Sequence, residues 1–175
     1  MINFWRRIRL HQQQIGHLYQ MIIAQSRSVK IYQAFSIPDT VDGRYEVLVL
    51  HTWLILQRLR NSSNQQAKKI SQGIFDSLIT DFDLSLKEIG VGDKKLGKQV
   101  RFMVKGAYGR FHAYDQSWGH PSLFLEALTR NFFGASSPSP EQIDKAYHYI
   151  LDVSEILKNM TDDQLASGNL IWPMV

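Results

Sequence analysis

Apolar residues recur at gaps of three and four through most of the chain. The longest run follows Asn64, where Ala67, Ile70, Ile74, Leu78 and Phe82 mark one face and Phe75, Ile79, Leu86 and Ile89 widen it. That spacing predicts one long amphipathic helix, and Gly90 ends it, since glycine takes the left-handed conformation of a helix cap without a Cβ penalty. Asp93 is the expected N-cap of the next helix, which carries Leu96, Val100, Val104, Ala107, Phe111 and Tyr114. Toward the N-terminus, Gly16–Gln25 and Val29–Phe35 read as two short helical patterns that stop at Ile37-Pro38. Thr40 or Asp42 then caps a helix over Tyr45–Arg60, closed by the polar break "NSSN". Pro121 begins a further helix and Gly134 ends it. "SPEQ" (Ser139–Gln142) and "TDDQ" (Thr161–Gln164) are capping boxes, and Gly168 closes the last element. No segment alternates as a strand would, and no repeat or low-complexity stretch is present. The expected fold is all-α, a single compact multi-helix domain: a basic N-terminal segment over 1–16, a helical core over 17–168 and a C-terminal tail over 169–175.

Composition narrows this picture. A chain of 175 residues can bury a core without metal or disulfide staples. The absence of cysteine removes disulfide frameworks, thiolate chemistry and Cys-ligated zinc. The most apolar stretch, "VLVLHTWLIL" (Val47–Leu56), is far short of the roughly 18–20 residues of a membrane span and contains His51, so it reads as a buried core helix. Residues 1–38 hold Arg6, Arg7, Arg9, Arg27 and Lys30 and no acid, so the remaining 137 residues sum to −1 within a net charge of +4. "MINFWRRIRLHQQQ" lacks the apolar h-region of a secretory signal. Its cluster Trp5, Arg6, Arg7 and Arg9, beside Phe4 and Ile8, instead suits either a membrane interface or a terminus docked on the core.

Candidate chemistry is sparse. "GVGDKKLGKQ" (Gly90–Gln99) comes within one letter of G-x-x-x-x-G-K-[ST], but Gln99 offers no hydroxyl for Mg²⁺. A phosphate-binding loop also leaves a strand, whereas a 26-residue helical pattern leads into these glycines, so the stretch reads as a helix–turn–helix joint. The six histidines are scattered, and Asp81 and Asp83, two residues apart, point about 200° apart on a helix. The sequence therefore predicts no catalytic residue, no metal, no cofactor and no small-molecule substrate.

Three stretches carry a resemblance: "LYQMIIAQSRSVKIYQAFSIPDTVDGRYEVLVLHTWLILQRLR", "ISQGIFDSLITDFDLSLKEIGVGDKKLGKQVRFMVKGAYGRFHAYD" and "LTRNFFG". The "IPDTVDGRYE" turn into an apolar helix, then "DFDLSLKEIGVGD", then "AYGR", in that order, are similar to the ubiquinol–cytochrome c chaperone family, assembly factors of respiratory complex III. The resemblance runs from about residue 18 to 133. It implies a helical, non-enzymatic chaperone whose client is newly made cytochrome b. It also implies work near the membrane surface and the ribosome, without specific DNA binding. No transit peptide precedes the match, so a bacterial member is expected, in the cytoplasm and peripheral to the inner membrane.

Within that frame, Lys94, Lys98, Arg101 and Lys105 form one stripe at helical spacing. They read either as a solvated face paired with Asp81, Asp83 or Glu88, or as a docking surface for an acidic partner. Phe102 beside the stripe, with Tyr108 and Arg110, completes the candidate client-binding set. Gly106, Gly109 and Ala113 suggest close approach of another helix, and "DTVDGR" suggests a local ion pair. Net positive charge also supports a nucleic-acid-binding helical protein, and a small helical enzyme is the weaker alternative.

Overall fold

The computed structural model describes residues 2–168 and 170–175, with side chains from Arg9 onward apart from Asn169. Among the described residues there are eight helices and no strand: α1 Ile2–Ser26, α2 Val29–Phe35, α3 Val41–Arg60, α4 Gln65–Glu88, α5 Asp93–Ser117, α6 Pro121–Arg130, α7 Pro140–Asn159 and α8 Asp162–Ala166.

Helix α3 is the axis of the molecule. Thirteen of its 20 residues are buried, on every side, which an amphipathic surface helix cannot manage. Helices α1, α4, α5 and α7 pack around it, α6 bridges α5 and α7, α2 rests on α7, and α8 reaches α1 and α4. Trp53 sits at the centre, fully buried, with the rings of Tyr114, Trp118 and Phe124 at 5.2, 5.4 and 5.8 Å. Its indole N–H donates to Asp115 at 2.8 Å.

Two polar residues of α3, His51 and Arg58, are answered from other helices. The Val47 carbonyl lies 2.8 Å from Nδ1 of His51 and can only accept, so the proton is on Nδ1. Nε2 then accepts from the Tyr149 hydroxyl of α7 at 2.9 Å, which in turn accepts from Gln25 of α1. Burial lowers the His51 pKa to about 4, so the ring is neutral. Arg58 donates to the carbonyls of Leu157 and Met160 at 2.9 and 2.7 Å and pairs with Asp162 at 2.9 Å, fastening α3 to the α7–α8 joint.

The capping signals hold. Thr40 accepts from the Gly43 N–H, Asn64 from that of Gln66, and both predicted capping boxes are formed. Gly90 and Gly168 take φ of 84° and 72°. Three boundaries differ. Helix α1 begins at Ile2 and passes through Gly16, where the sequence pattern starts its helix, because Gly16 faces open space and needs no turn. The N-cap of α5 is Gly92, with Asp93 in the first turn, where its carboxylate favours the helix dipole without capping. Helix α6 ends at Arg130 rather than at Gly134, since Phe132 and Phe133 leave the helix to enter the core. Beyond α8, Leu170 is buried and Trp172 meets the His51 ring edge-on at 5.2 Å.

Gly43 is obligatory where α2 hands over to α3. A Cβ there falls 2.0 Å from the Pro38 carbonyl oxygen, a backbone atom that cannot rotate aside. Gly43→Ala is expected to cost about 1–3 kcal/mol, read as a lower urea midpoint at unchanged m-value.

Candidate functional site

Helix α5 divides cleanly into two faces. Leu96, Ala107, Phe111 and Tyr114 are buried against the core. On the other side Lys94, Lys98, Arg101 and Lys105 are all exposed, within about 60° of one another at about 100° per residue. None of the four forms an ion pair among the described residues. The pairing with α4 that the sequence allowed does not occur: Asp83 pairs with Lys87 at 2.5 Å, and Asp81 and Glu88 form no ion pair with the stripe. Phe102 and Tyr108 flank the stripe on opposite sides, 73% and 56% exposed. The Tyr108 ring is held over Phe75 of α4, with centroids 4.8 Å apart. An unneutralised row of cations with two standing aromatic rings suits a surface that is acidic in part and apolar in part.

Arg110 is placed elsewhere. It lies about 150° around the helix from the stripe and forks onto buried Glu46 of α3. Nε donates to Oε2 at 2.6 Å, Nη2 donates to Oε1, and Nη1 donates to the Gly106 carbonyl at 3.1 Å. Its guanidinium also stacks 5.0 Å from the centroid of Tyr45, whose hydroxyl donates to the Met103 carbonyl at 2.8 Å. This is an internal clamp between α3 and α5 rather than part of the outer surface. Of the small residues beside it, Gly106 is the one closely approached, by the Tyr45 hydroxyl, while Gly109 is open to solvent. Asp39 and Arg44 do form the local pair expected of the "DTVDGR" turn, at 2.5 Å.

A groove of about 460 Å³ opens where the α2–α3 joint faces the second half of α4 and Met103 of α5. Leu48, Phe82 and Leu86 form its apolar wall, and Val29, Val41 and Ile89 stand exposed on its rim. The sequence did not reveal it, because its wall is assembled from separate helices.

Of the proposed membrane-facing residues, Arg9 is exposed on α1, and the side chains of Trp5, Arg6 and Arg7 lie outside the described residues. Among the described residues no helix is long and apolar enough to cross a membrane, and no group of three His, Asp or Glu could hold a metal ion.

The model of the family described as Ubiquinol-cytochrome C chaperone matches residues 33–172. The chain belongs to this family. The match takes in the C-terminal third, which the motifs legible in the sequence leave unplaced, and it covers α3, α4 and all of α5. The chain resembles the Ubiquinol-cytochrome-c reductase complex assembly factor 1 of Xenopus laevis, 24% identical over 83% of this chain and 74% of that one. It also resembles the mitochondrial protein CBP3 of Saccharomyces cerevisiae, 23% identical over 78% of this chain, though it spans only 42% of the yeast protein. The crystal structure of the Cbp3 homolog from Brucella abortus superposes with a TM-score of 0.85, at 30% identity, over 99% of this chain and 97% of that one. That bacterial Cbp3 homolog thus shares the helical arrangement described above almost end to end.

Proposed function

We propose that this protein is an assembly chaperone of respiratory complex III that binds newly synthesised cytochrome b through the outer face of α5. The observation that carries the reading is the family match across residues 33–172, which includes the unpaired cationic stripe with its two exposed rings. The protein works at the bacterial cytoplasmic membrane, with the basic start of α1 turned toward anionic headgroups and the ribosome close by. Binding rather than catalysis is its role. Lys94, Lys98, Arg101 and Lys105 steer acidic loops of the client, and Phe102 and Tyr108 supply apolar grip.

Site-specific photo-crosslinking in the native cell tests this, with probes at Arg101, Phe102, Tyr108 and, separately, Trp5. The first three are expected to capture cytochrome b, and Trp5 to capture lipid. If none of the four yields cytochrome b, the client assignment falls. Crosslinks from the first three to RNA, lost steeply as salt is raised, would instead favour a nucleic-acid partner for the stripe.

A further inference from the structure

The groove between the α2–α3 joint and α4 has an electrostatic character opposite to that of α5. Asp81 stands on its wall, half buried, and makes no hydrogen bond and no ion pair. Glu88, about two turns further along α4, also lacks an ion pair and lies near enough to repel it. Across the groove Asp39 is already neutralised by Arg44. Arg27 is the cation whose charge Asp81 feels, yet it forms no bond with that carboxylate. An apolar trough thus ends at two carboxylates, Asp81 and Glu88, with the single unbonded cation Arg27 beside them, so negative charge is left in excess there.

We propose that this groove receives a cationic amphipathic helix of a partner protein, its apolar face against Leu48, Phe82 and Leu86 and a lysine or arginine on Asp81 and Glu88. Three observations select that occupant. The exposed rim residues Val29, Val41 and Ile89 converge on this trough, where single scattered apolar residues need no explanation but a contiguous set does. The described residues offer no strand edge, so an extended peptide gains no backbone pairing here, and recognition falls to side chains at i, i+3, i+4 and i+7 of a helix. Desolvation already disfavours the charge on Asp81, so an incoming cation relieves a cost present in the free protein. The groove and the α5 stripe then select partners of opposite sign, and the groove does not depend on the identity of the client bound at α5.

The test uses the full chain and a fluorescein-labelled synthetic helix of about 18 residues. Leucines form one stripe, a single lysine sits beside it, and alanine and glutamine fill the rest. Two control peptides carry glutamate or glutamine in place of the lysine. By fluorescence anisotropy the lysine peptide is expected to bind at least about tenfold tighter than the glutamate peptide. Asp81→Asn should weaken the lysine peptide about five- to tenfold while leaving the glutamine peptide unchanged. Val41→Glu and Ile89→Glu, both at exposed positions that folding tolerates, should abolish binding of all three. Should Asp81→Asn perturb the circular dichroism, Glu88→Gln on the exposed rim serves in its place. Absence of binding, equal affinity for lysine and glutamate peptides, or binding that survives both rim substitutions would overturn the proposal. Since no measurement here involves cytochrome b, failure leaves the client reading untouched, and loss of the cytochrome b crosslinks leaves the groove proposal untouched.

Discussion

Arg110→Ala is expected to lower the unfolding free energy by about 3–5 kcal/mol at neutral pH, because it strands a buried carboxylate. Glu46 has a side chain only 6% exposed, and Arg110 supplies both of its charge-assisted hydrogen bonds. The substitution leaves the Tyr45 ring without its guanidinium as well. Urea unfolding at unchanged m-value measures the loss. A loss below about 1 kcal/mol would mean that water reaches Glu46 and stands in for the arginine. Replacing both partners, Glu46→Leu with Arg110→Met, should recover most of the stability, since no unpaired charge is then left behind.

The pH dependence has a definite sign. Burial holds the Glu46 carboxyl above its ordinary value of 4.5, with the Arg110 hydrogen bond and charge pulling the other way. The folded protein therefore binds that proton more tightly than the unfolded chain does. The contribution of Glu46 is most favourable at acid pH and declines as pH rises from 4.5 through the raised folded value. Removing Arg110 removes both opposing effects and widens the shift. The stability gap between wild type and Arg110→Ala should thus be largest at about pH 7.5 and shrink toward about pH 4. His51, whose folded pKa is lowered to about 4, costs stability as pH falls below 6.5, but it does so in both proteins and cancels in the difference.

Trp53→Ala should be comparably severe, about 3–5 kcal/mol, equivalent to a fall in Tm of roughly 6–20 °C. The indole is fully buried among three aromatic rings from α5, the turn after it and α6, so no single neighbour can collapse into the space. The substitution also takes a donor from Asp115, which keeps its contact with Arg60 at 3.0 Å. Trp53→Phe retains most of the ring packing and should lose less than half as much. If the two variants prove equally destabilised, the Asp115 hydrogen bond rather than the packing is the dominant part.

Much of the fold is legible in the sequence because its punctuation is chemical and local. Thr40, Asn64, Ser139 and Thr161 each announce a helix start through a side chain that reaches only two or three residues ahead, and Gly90 and Gly168 mark ends through their own φ. The continuity of α1 through Gly16 is not announced in this way, since nothing in a polar stretch such as "HQQQ" distinguishes a solvated helix from a loose terminus. The cationic stripe is visible because a helix repeats every 3.6 residues. The inward turn of Arg110 is hidden, because its partner lies 64 positions earlier. One signal pointed to it: Glu46 opens the most apolar segment of the chain, and a carboxylate in a helix buried on all sides requires a cation from elsewhere. The groove leaves no such trace, because its walls are unremarkable positions on several helices until packing brings them together.

Burial of α3 on every side has a consequence for the lifetime of the protein. Val47–Leu56 is a ten-residue apolar run that depends on its neighbours for solubility, and each of α1, α4, α5 and α7 screens a different flank of it. Peeling any one of them away uncovers the same sticky segment, in the kind of partly opened species from which aggregation begins. The outer helices thus act less as independent parts than as staves around one hazard, and resistance to aggregation is a property of their joint closure.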